Sequence, residues 1–246
     1  MRSWWRWVSQ VIVASSWEKA HLQQSDPEVQ RKVFVAGATG YLGGHLIPVL
    51  LQREHEVYAL ARPGSEQKAP SGSVVIPGDA LNETTYSKQI TSGCTFVHLI
   101  GVPHPSPAKA ELFRQIDLPA VQASVAAAVS AKVEHFVYLS VAHPAPVMKA
   151  YVATRIAAED TIRRAGLNAT FLRPWYVLGP GHRWAYALLP MYWIFKRLPS
   201  TCETAMRLDL VRLNEMIAAL VKAVENPCTG IRIVDAQKIK TTTKAQ

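Results

Sequence analysis

A chain of 246 residues, 49% hydrophobic and 18% charged, has a globular composition and room for one large α/β domain or two small ones, which excludes a disordered or fibrous protein. Its net charge of +9 is scattered with no basic arm, so an anionic cofactor and a generally basic surface are expected, and no nucleic-acid partner. Cys94, Cys202 and Cys228 are far apart, with no CxxC and no Cys/His cluster, so neither a disulfide framework nor a metal site is expected, and a reducing, cytoplasmic setting fits best.

Residues 1–30 differ in character from the rest of the chain. The stretch "MRSWWRWVSQVIVASSW" sets Trp4, Trp5, Trp7 and Trp17 beside Arg2 and Arg6. Its apolar run, residues 11–14, is too short for a signal sequence, and no sustained amphipathic period accompanies it. The segment is read as a poorly ordered N-terminal extension; peripheral contact with a membrane surface through Trp and Arg is the sharper alternative. Residues 184–195, "WAYALLPMYWIF", fall short of the roughly 20 apolar residues a transmembrane helix needs, and Pro190 interrupts them.

From residue 31 the pattern becomes regular. Residues 33–36 form a short apolar run of the kind a buried parallel strand shows. Gly37, Gly40 and Gly43 come next, and then a helical apolar period through Leu42, Leu46, Val49 and Leu50. Strand, glycine turn and helix make a dinucleotide cradle. Gly37 permits the tight turn, Gly40 lets the backbone approach a pyrophosphate, and Gly43 lets the helix pack close to the strand. The helix N-terminus, at Tyr41 and Leu42, offers free N–H groups to phosphate, and Thr39 adds a hydroxyl. The turn carries no Gly-Lys-Ser/Thr, which excludes a Walker A loop. A second strand, residues 56–61, ends at Arg62, where an NAD-binding chain usually carries an acid. A guanidinium there can grip a 2′-phosphate, so NADP(H) is the expected cofactor, with NAD(H) as the alternative.

Further strands are expected at 73–77, 95–100, 134–140 and 169–173, with a crossover helix over 120–132 behind Pro119. The alternation predicts an α/β fold, a doubly wound parallel sheet of Rossmann type over residues 31–236. Gly37, Arg62, Asp79, Gly101 and Ser140 then all fall at strand C-termini and converge on one cleft. Past about residue 175 a small C-terminal cap is expected. It would include the amphipathic helix of "DLVRLNEMIAALVKAVENP", with Asp209 as N-cap and Leu213, Met216, Ile217, Leu220, Val221 and Val224 on one face. Residues 237–246 are read as a frayed tail.

At "VFVAGATGYLGG" the chain resembles the atypical and extended branches of the short-chain dehydrogenase/reductase superfamily, including NmrA-like and epimerase-dehydratase-like members. The resemblance covers nearly everything past the N-terminal extension. Ala36 stands where the family's turn has its first Thr. The resemblance implies that Asp79 and Ala80, closing "VVIPGDA", reach the adenine. It implies that Gly101, closing "CTFVHLIG", lies near the ribose, and that Pro174 in "ATFLRPWYVLGPG" lines the nicotinamide pocket. Ser140 falls where the family places its catalytic serine, and Tyr151 where it places the proton-donating tyrosine. Four residues on, where the family has Lys, stands Arg155.

On a helix Tyr151 and Arg155 share a face. A free phenol has a pKa near 10, and a neighbouring cation favours its ionised form. Arg supplies that charge and can bond a ribose hydroxyl, but it cannot relay a proton. The resemblance therefore implies NAD(P) binding and an oxidoreductase with Tyr151 as donor, Ser140 as its partner and Arg155 as charge and ribose support. The short cap favours a small, largely apolar carbonyl-type substrate. A non-catalytic redox sensor or assembly protein, and epimerase or dehydratase chemistry, are the alternatives. Oligomeric state stays open.

Overall fold

The computed structural model describes residues 30–180 and 199–243. The N-terminal extension, the apolar stretch 184–195 and His182 lie outside them.

Strands β1 (Lys32–Ala36), β2 (Glu56–Ala61), β3 (Val74–Pro77), β4 (Thr95–His98), β5 (His135–Leu139) and β6 (Ala169–Arg173) fall where the apolar runs predict them. With β9 (Ile231–Asp235), the main sheet has the order β3-β2-β1-β4-β5-β6-β9, every pairing parallel. That order places the crossover reversal between β1 and β4, the position at which doubly wound sheets open a ligand crevice.

Register explains the core. Phe34 stands opposite Phe96, and Phe96 opposite Phe136. Their rings therefore stack in a row across one face, with centroids 5.1 Å apart at each step. The alternate residues Val33, Val35, Val57, Val97 and Val137 point to the other face. Helix α1 (Tyr41–Gln52) covers this aliphatic face through Leu46, Ile47 and Leu50. The aromatic face is covered by α2 (Leu118–Ala131) and α3 (Lys149–Arg164), through Val121, Val125 and Ile162. Each fully buried Phe, Leu or Ile contributes about 1.5–3 kcal/mol.

Pro119 lies in the first turn of α2, as its missing N–H favours. The helix does not begin there, however. A helical turn, Ala110–Leu112, and a π-helical stretch, Phe113–Asp117, run into it, and this irregularity turns Asp117 inward, where it is 1% exposed.

Beyond residue 175 the chain forms β7 (Tyr176–Leu178), α4 (Pro199–Arg207) and β8 (Leu210–Arg212), with β7 and β8 paired as a small separate sheet. It then returns to the main fold. Helix α5 (Leu213–Glu225) buries Met216, Leu220 and Val224 in the aliphatic core, and β9 (Ile231–Asp235) pairs with β6 as a seventh strand. Asp209 is not the cap of α5. It is buried, accepts the Leu210 N–H at 2.9 Å and takes Lys240 Nζ at 2.6 Å, while Glu215 holds the Arg212 N–H at the helix start. The expected fray at 237 is also corrected. Helix α6 (Ala236–Thr242) is capped by Asp235, whose side chain accepts the Lys238 N–H, and it buries Ile239 completely. Among the described residues no helix is long and apolar enough to cross a membrane.

Two core histidines carry a pH consequence. His98 bonds Ser124 Oγ at 2.9 Å and His135 bonds Thr170 Oγ1 at 2.9 Å. Burial, reinforced by Arg155, pushes His98 down to about 3. Burial, with Arg232 and Arg31, pushes His135 down to about 4. Both are neutral in the fold, whereas the unfolded chain protonates them below about pH 6.5. Stability is therefore complete above that pH and falls as the pH drops, by about 1.4 kcal/mol per unit per histidine, until the folded values are reached. Urea denaturation at pH 7.5, 6 and 5 should show this slope, and His98→Asn should remove roughly half of it. An unchanged slope in that variant would refute the assignment.

Candidate functional site

Gly37 adopts φ +94°, and a Cβ there would lie 3.0 Å from the Leu99 carbonyl carbon and 3.1 Å from Ile100 N. The end of β4 thus presses directly on the turn. Gly40 N donates to Gly37 O at 3.1 Å and closes the loop. A Cβ on Gly43 would lie 2.7 Å from Ala38 O and closer still to Gly37 O, so α1 can start this close to β1 only with glycine there. Gly40 is the N-cap of α1 and makes no side-chain capping bond. The first-turn N–H groups are left for an anion, in a cradle that a Cβ would fill. These residues fit the pyrophosphate of a dinucleotide.

The cradle opens into a cleft of about 540 Å³. Gly37, Thr39, Gly40, Arg62, Asp79, Ala80 and Gly101 all line it, drawn together from four strand ends. Tyr41, Leu42, Gly43 and Pro174 do not line it. Gly43 acts through packing, and Pro174 O receives the Ala142 N–H at 3.0 Å. Among the described residues Arg62 has no carboxylate within ion-pair distance, while Asp79 is turned back on its own loop, with Oδ1 accepting the Leu81 N–H at 3.0 Å. Lys109, Leu112 and Ile116 also line the cleft, and the sequence pattern does not single them out. They come from the irregular approach to α2, where no period marks an inward face.

Tyr151 is half-buried on α3, with its ring 5.1 Å from that of Phe113. Arg155 lies beneath it, Cζ 5.1 Å from the ring centroid, and is 4% exposed. Its guanidinium is fully engaged at its tips. Nη2 donates to Asp117 Oδ2 at 3.0 Å, and Nη1 donates to Tyr138 Oη and Leu139 O, each at 3.2 Å. Asp117 Oδ1 also receives the Val102 N–H at 2.8 Å, so one carboxylate ties α3 to the loop after β4. Burial works against the Arg155 charge, but Tyr138, Tyr151 and Asp117 outweigh it and raise its pKa above the ordinary guanidinium value. Gly101 makes room for the arrangement: a Cβ there would sit 3.5 Å from Arg155 Cζ and clash with Nη2.

Ser140 is 3% exposed and donates to Glu159 Oε1 at 2.6 Å. No hydrogen bond joins it to Tyr151 among the described residues. Glu159, one turn beyond Arg155 on α3 and fully buried, also accepts from Arg173 Nε at 2.8 Å and Arg163 Nη2 at 2.9 Å. Burial would push its carboxyl up; the bonds from Arg173 and Ser140 outweigh that and hold it below the usual carboxylate range. Asp117, Tyr138 and Glu159 escape a reading of the sequence. Only Glu159 has a local signal, its i,i+4 spacing to Arg163. No group of acidic, His or Cys side chains able to hold a metal is present among the described residues.

Comparison with known proteins agrees with this geometry. Residues 37–185 match a family model described as NAD(P)H-binding. The chain is 26% identical over 201 residues to a ceramide reductase of Caulobacter vibrioides, covering 81% of this chain and 62% of that protein's length. Its fold is similar to that of the Bordetella bronchiseptica enzyme WbmH, solved in complex with NAD+, at 22% identity and a TM-score of 0.63 over 84% of this chain and 76% of the other. It is also similar to UDP-glucuronic acid 4-epimerase from Bacillus cereus, solved with NAD, at 18% identity and a TM-score of 0.60 over 84% and 78% of the two chains. With its glycine cradle and parallel sheet, the chain belongs to the NAD(P)H-binding family whose model it matches over more than half its length.

Proposed function

We propose that the protein is an NADP(H)-dependent reductase of a largely apolar carbonyl substrate. The observation that carries the cofactor choice is Arg62, on the cleft wall at the end of β2 with no carboxylate near it among the described residues. A guanidinium in that position can hold a 2′-phosphate in a fork of two hydrogen bonds, whereas an acid would repel it. The likeness to a ceramide reductase supports the reductive direction and a lipid-like substrate.

A nicotinamide cofactor, held by the turn of Gly37 and Gly40 and by Arg62, would supply hydride chemistry to a carbonyl in the cleft. Tyr151 gives its hydroxyl proton to the carbonyl oxygen, and Arg155 keeps a fixed positive charge below the ring. Asp117 and Tyr138 hold that charge in place. Ser140, bonded to Glu159, braces α3 against the end of β5 and takes no part in proton transfer.

Calorimetric titration of the full chain tests the cofactor. NADPH should bind more tightly than NADH. Arg62→Ala should weaken NADPH roughly 10- to 100-fold, the loss of a charge-assisted hydrogen-bonding pair, and leave NADH nearly unchanged. Equal affinities in the native chain would defeat the preference.

The commitment of Ser140 to Glu159 and of Arg155 to Asp117 favours a second reading, a nucleotide-binding protein without turnover.

A further inference from the structure

The geometry points to Lys109 as a second cation of the cofactor cleft, one that holds the pyrophosphate from the side opposite Arg62. Among the described residues lining the cleft, the cations are Arg62 and Lys109 and the carboxylate is Asp79. Strand order separates them. Arg62 follows β2 and Asp79 follows β3, on one side of the β1 glycine turn, while β4 lies on the other. Lys109 belongs to the β4 side, because its Nζ donates to Pro103 O at 2.7 Å and His104 O at 3.0 Å, in the loop that leaves β4. The same strand end presses on Gly37, so that loop stands beside the cradle.

Sequence explains why the ammonium stays there. Pro103, Pro105 and Pro107 stiffen the loop, and the two carbonyl bonds close it on Lys109. An ammonium has three donors, so one remains after the carbonyls are served. Lys109 is half-buried and forms no ion pair among the described residues. A compact cation on the wall of the cleft that Gly40 also lines adds to the attraction that the free N–H groups already exert on phosphate. The pyrophosphate is common to both nicotinamide cofactors. Lys109 therefore sets affinity for either, whereas Arg62 sets the choice between them. This assignment rests on nucleotide binding in the cleft and is independent of the 2′-phosphate preference.

Calorimetric titrations of the full-length Lys109→Met and Lys109→Arg variants test it, with NADPH, NADH and adenosine 2′-monophosphate as ligands. Lys109→Met should weaken NADPH and NADH alike, by roughly tenfold. It should leave adenosine 2′-monophosphate, which has no pyrophosphate, unchanged, and Lys109→Arg should restore most of the loss. A loss confined to NADPH, or shared by adenosine 2′-monophosphate, would overturn the assignment. Unchanged binding of all three would reduce Lys109 to a loop clasp and overturn it as well. If Arg62→Ala leaves discrimination intact while Lys109→Met weakens both dinucleotides, the assignment of the 2′-phosphate to Arg62 falls and the Lys109 assignment stands.

Discussion

Arg155→Met is expected to destabilise the fold by about 3–5 kcal/mol, because it leaves a buried carboxylate without its partner. Asp117 is 1% exposed, and after the change its remaining hydrogen bond is the Val102 N–H. Tyr138 Oη and Leu139 O lose a donor at the same time. Arg155→Lys should recover only part of the stability. A lysine carries the charge but not the planar fork, and the acceptors lie in different directions around the guanidinium. Adding Asp117→Asn to Arg155→Met should restore much of the loss, since the uncompensated charge is then gone. Chemical denaturation of the three variants checks this. A cost below about 1 kcal/mol for Arg155→Met would mean that water or a neighbouring side chain replaces the pair. The structure thus gives an arginine a reason to stand four residues after Tyr151: it reaches Asp117, Tyr138 and a carbonyl at once.

How much of this is legible in the sequence depends on the range of the interaction. The strands, the glycine turn and α1 come from local patterns: period-two and continuous apolar runs, positive φ at Gly37, and a helical stripe. Their bounds can be read to within a residue or two. The cleft is legible because strand C-termini converge in any doubly wound sheet, which places Arg62, Asp79 and Gly101 together without knowledge of side chains. Strand β9 is not legible. It is five residues long and half exposed at the sheet edge, and its pairing with β6 joins residues some sixty positions apart. Helix α6 is hidden because "KIKTTTKAQ" has little helical propensity, and what holds it is the Asp235 cap and Ile239 in the core. The partners of Ser140 and Arg155 are beyond reach for the same physical reason. Ser140 at the end of β5 and Arg155 on α3 each turn toward whatever tertiary packing places there, and their partners Glu159 and Asp117 arrive from other elements.

Tyr151→Phe should lower turnover about a hundredfold or more while leaving cofactor affinity and stability unchanged. Loss of a positioned general acid costs about that much. The ring contacts with Phe113 and Arg155 survive the change, since neither depends on the hydroxyl. Tyr151 is only half-buried, so its hydroxyl adds little to the core. Single-turnover reduction of a long-chain carbonyl compound by the NADPH-loaded protein, beside a binding titration of both chains, separates the outcomes. A native chain that binds NADPH and reduces nothing, with Tyr151→Phe indistinguishable from it, would favour the non-catalytic reading. Ser140→Ala gives the contrasting pattern. Its hydroxyl serves Glu159, so removal strips one hydrogen bond from a buried carboxylate and should lower stability by about 1–3 kcal/mol. Turnover per folded molecule should change far less than in Tyr151→Phe. If Ser140→Ala instead abolished turnover and left stability intact, the serine would have to release Glu159 and face the substrate during the reaction, and α3 would have to move to let it.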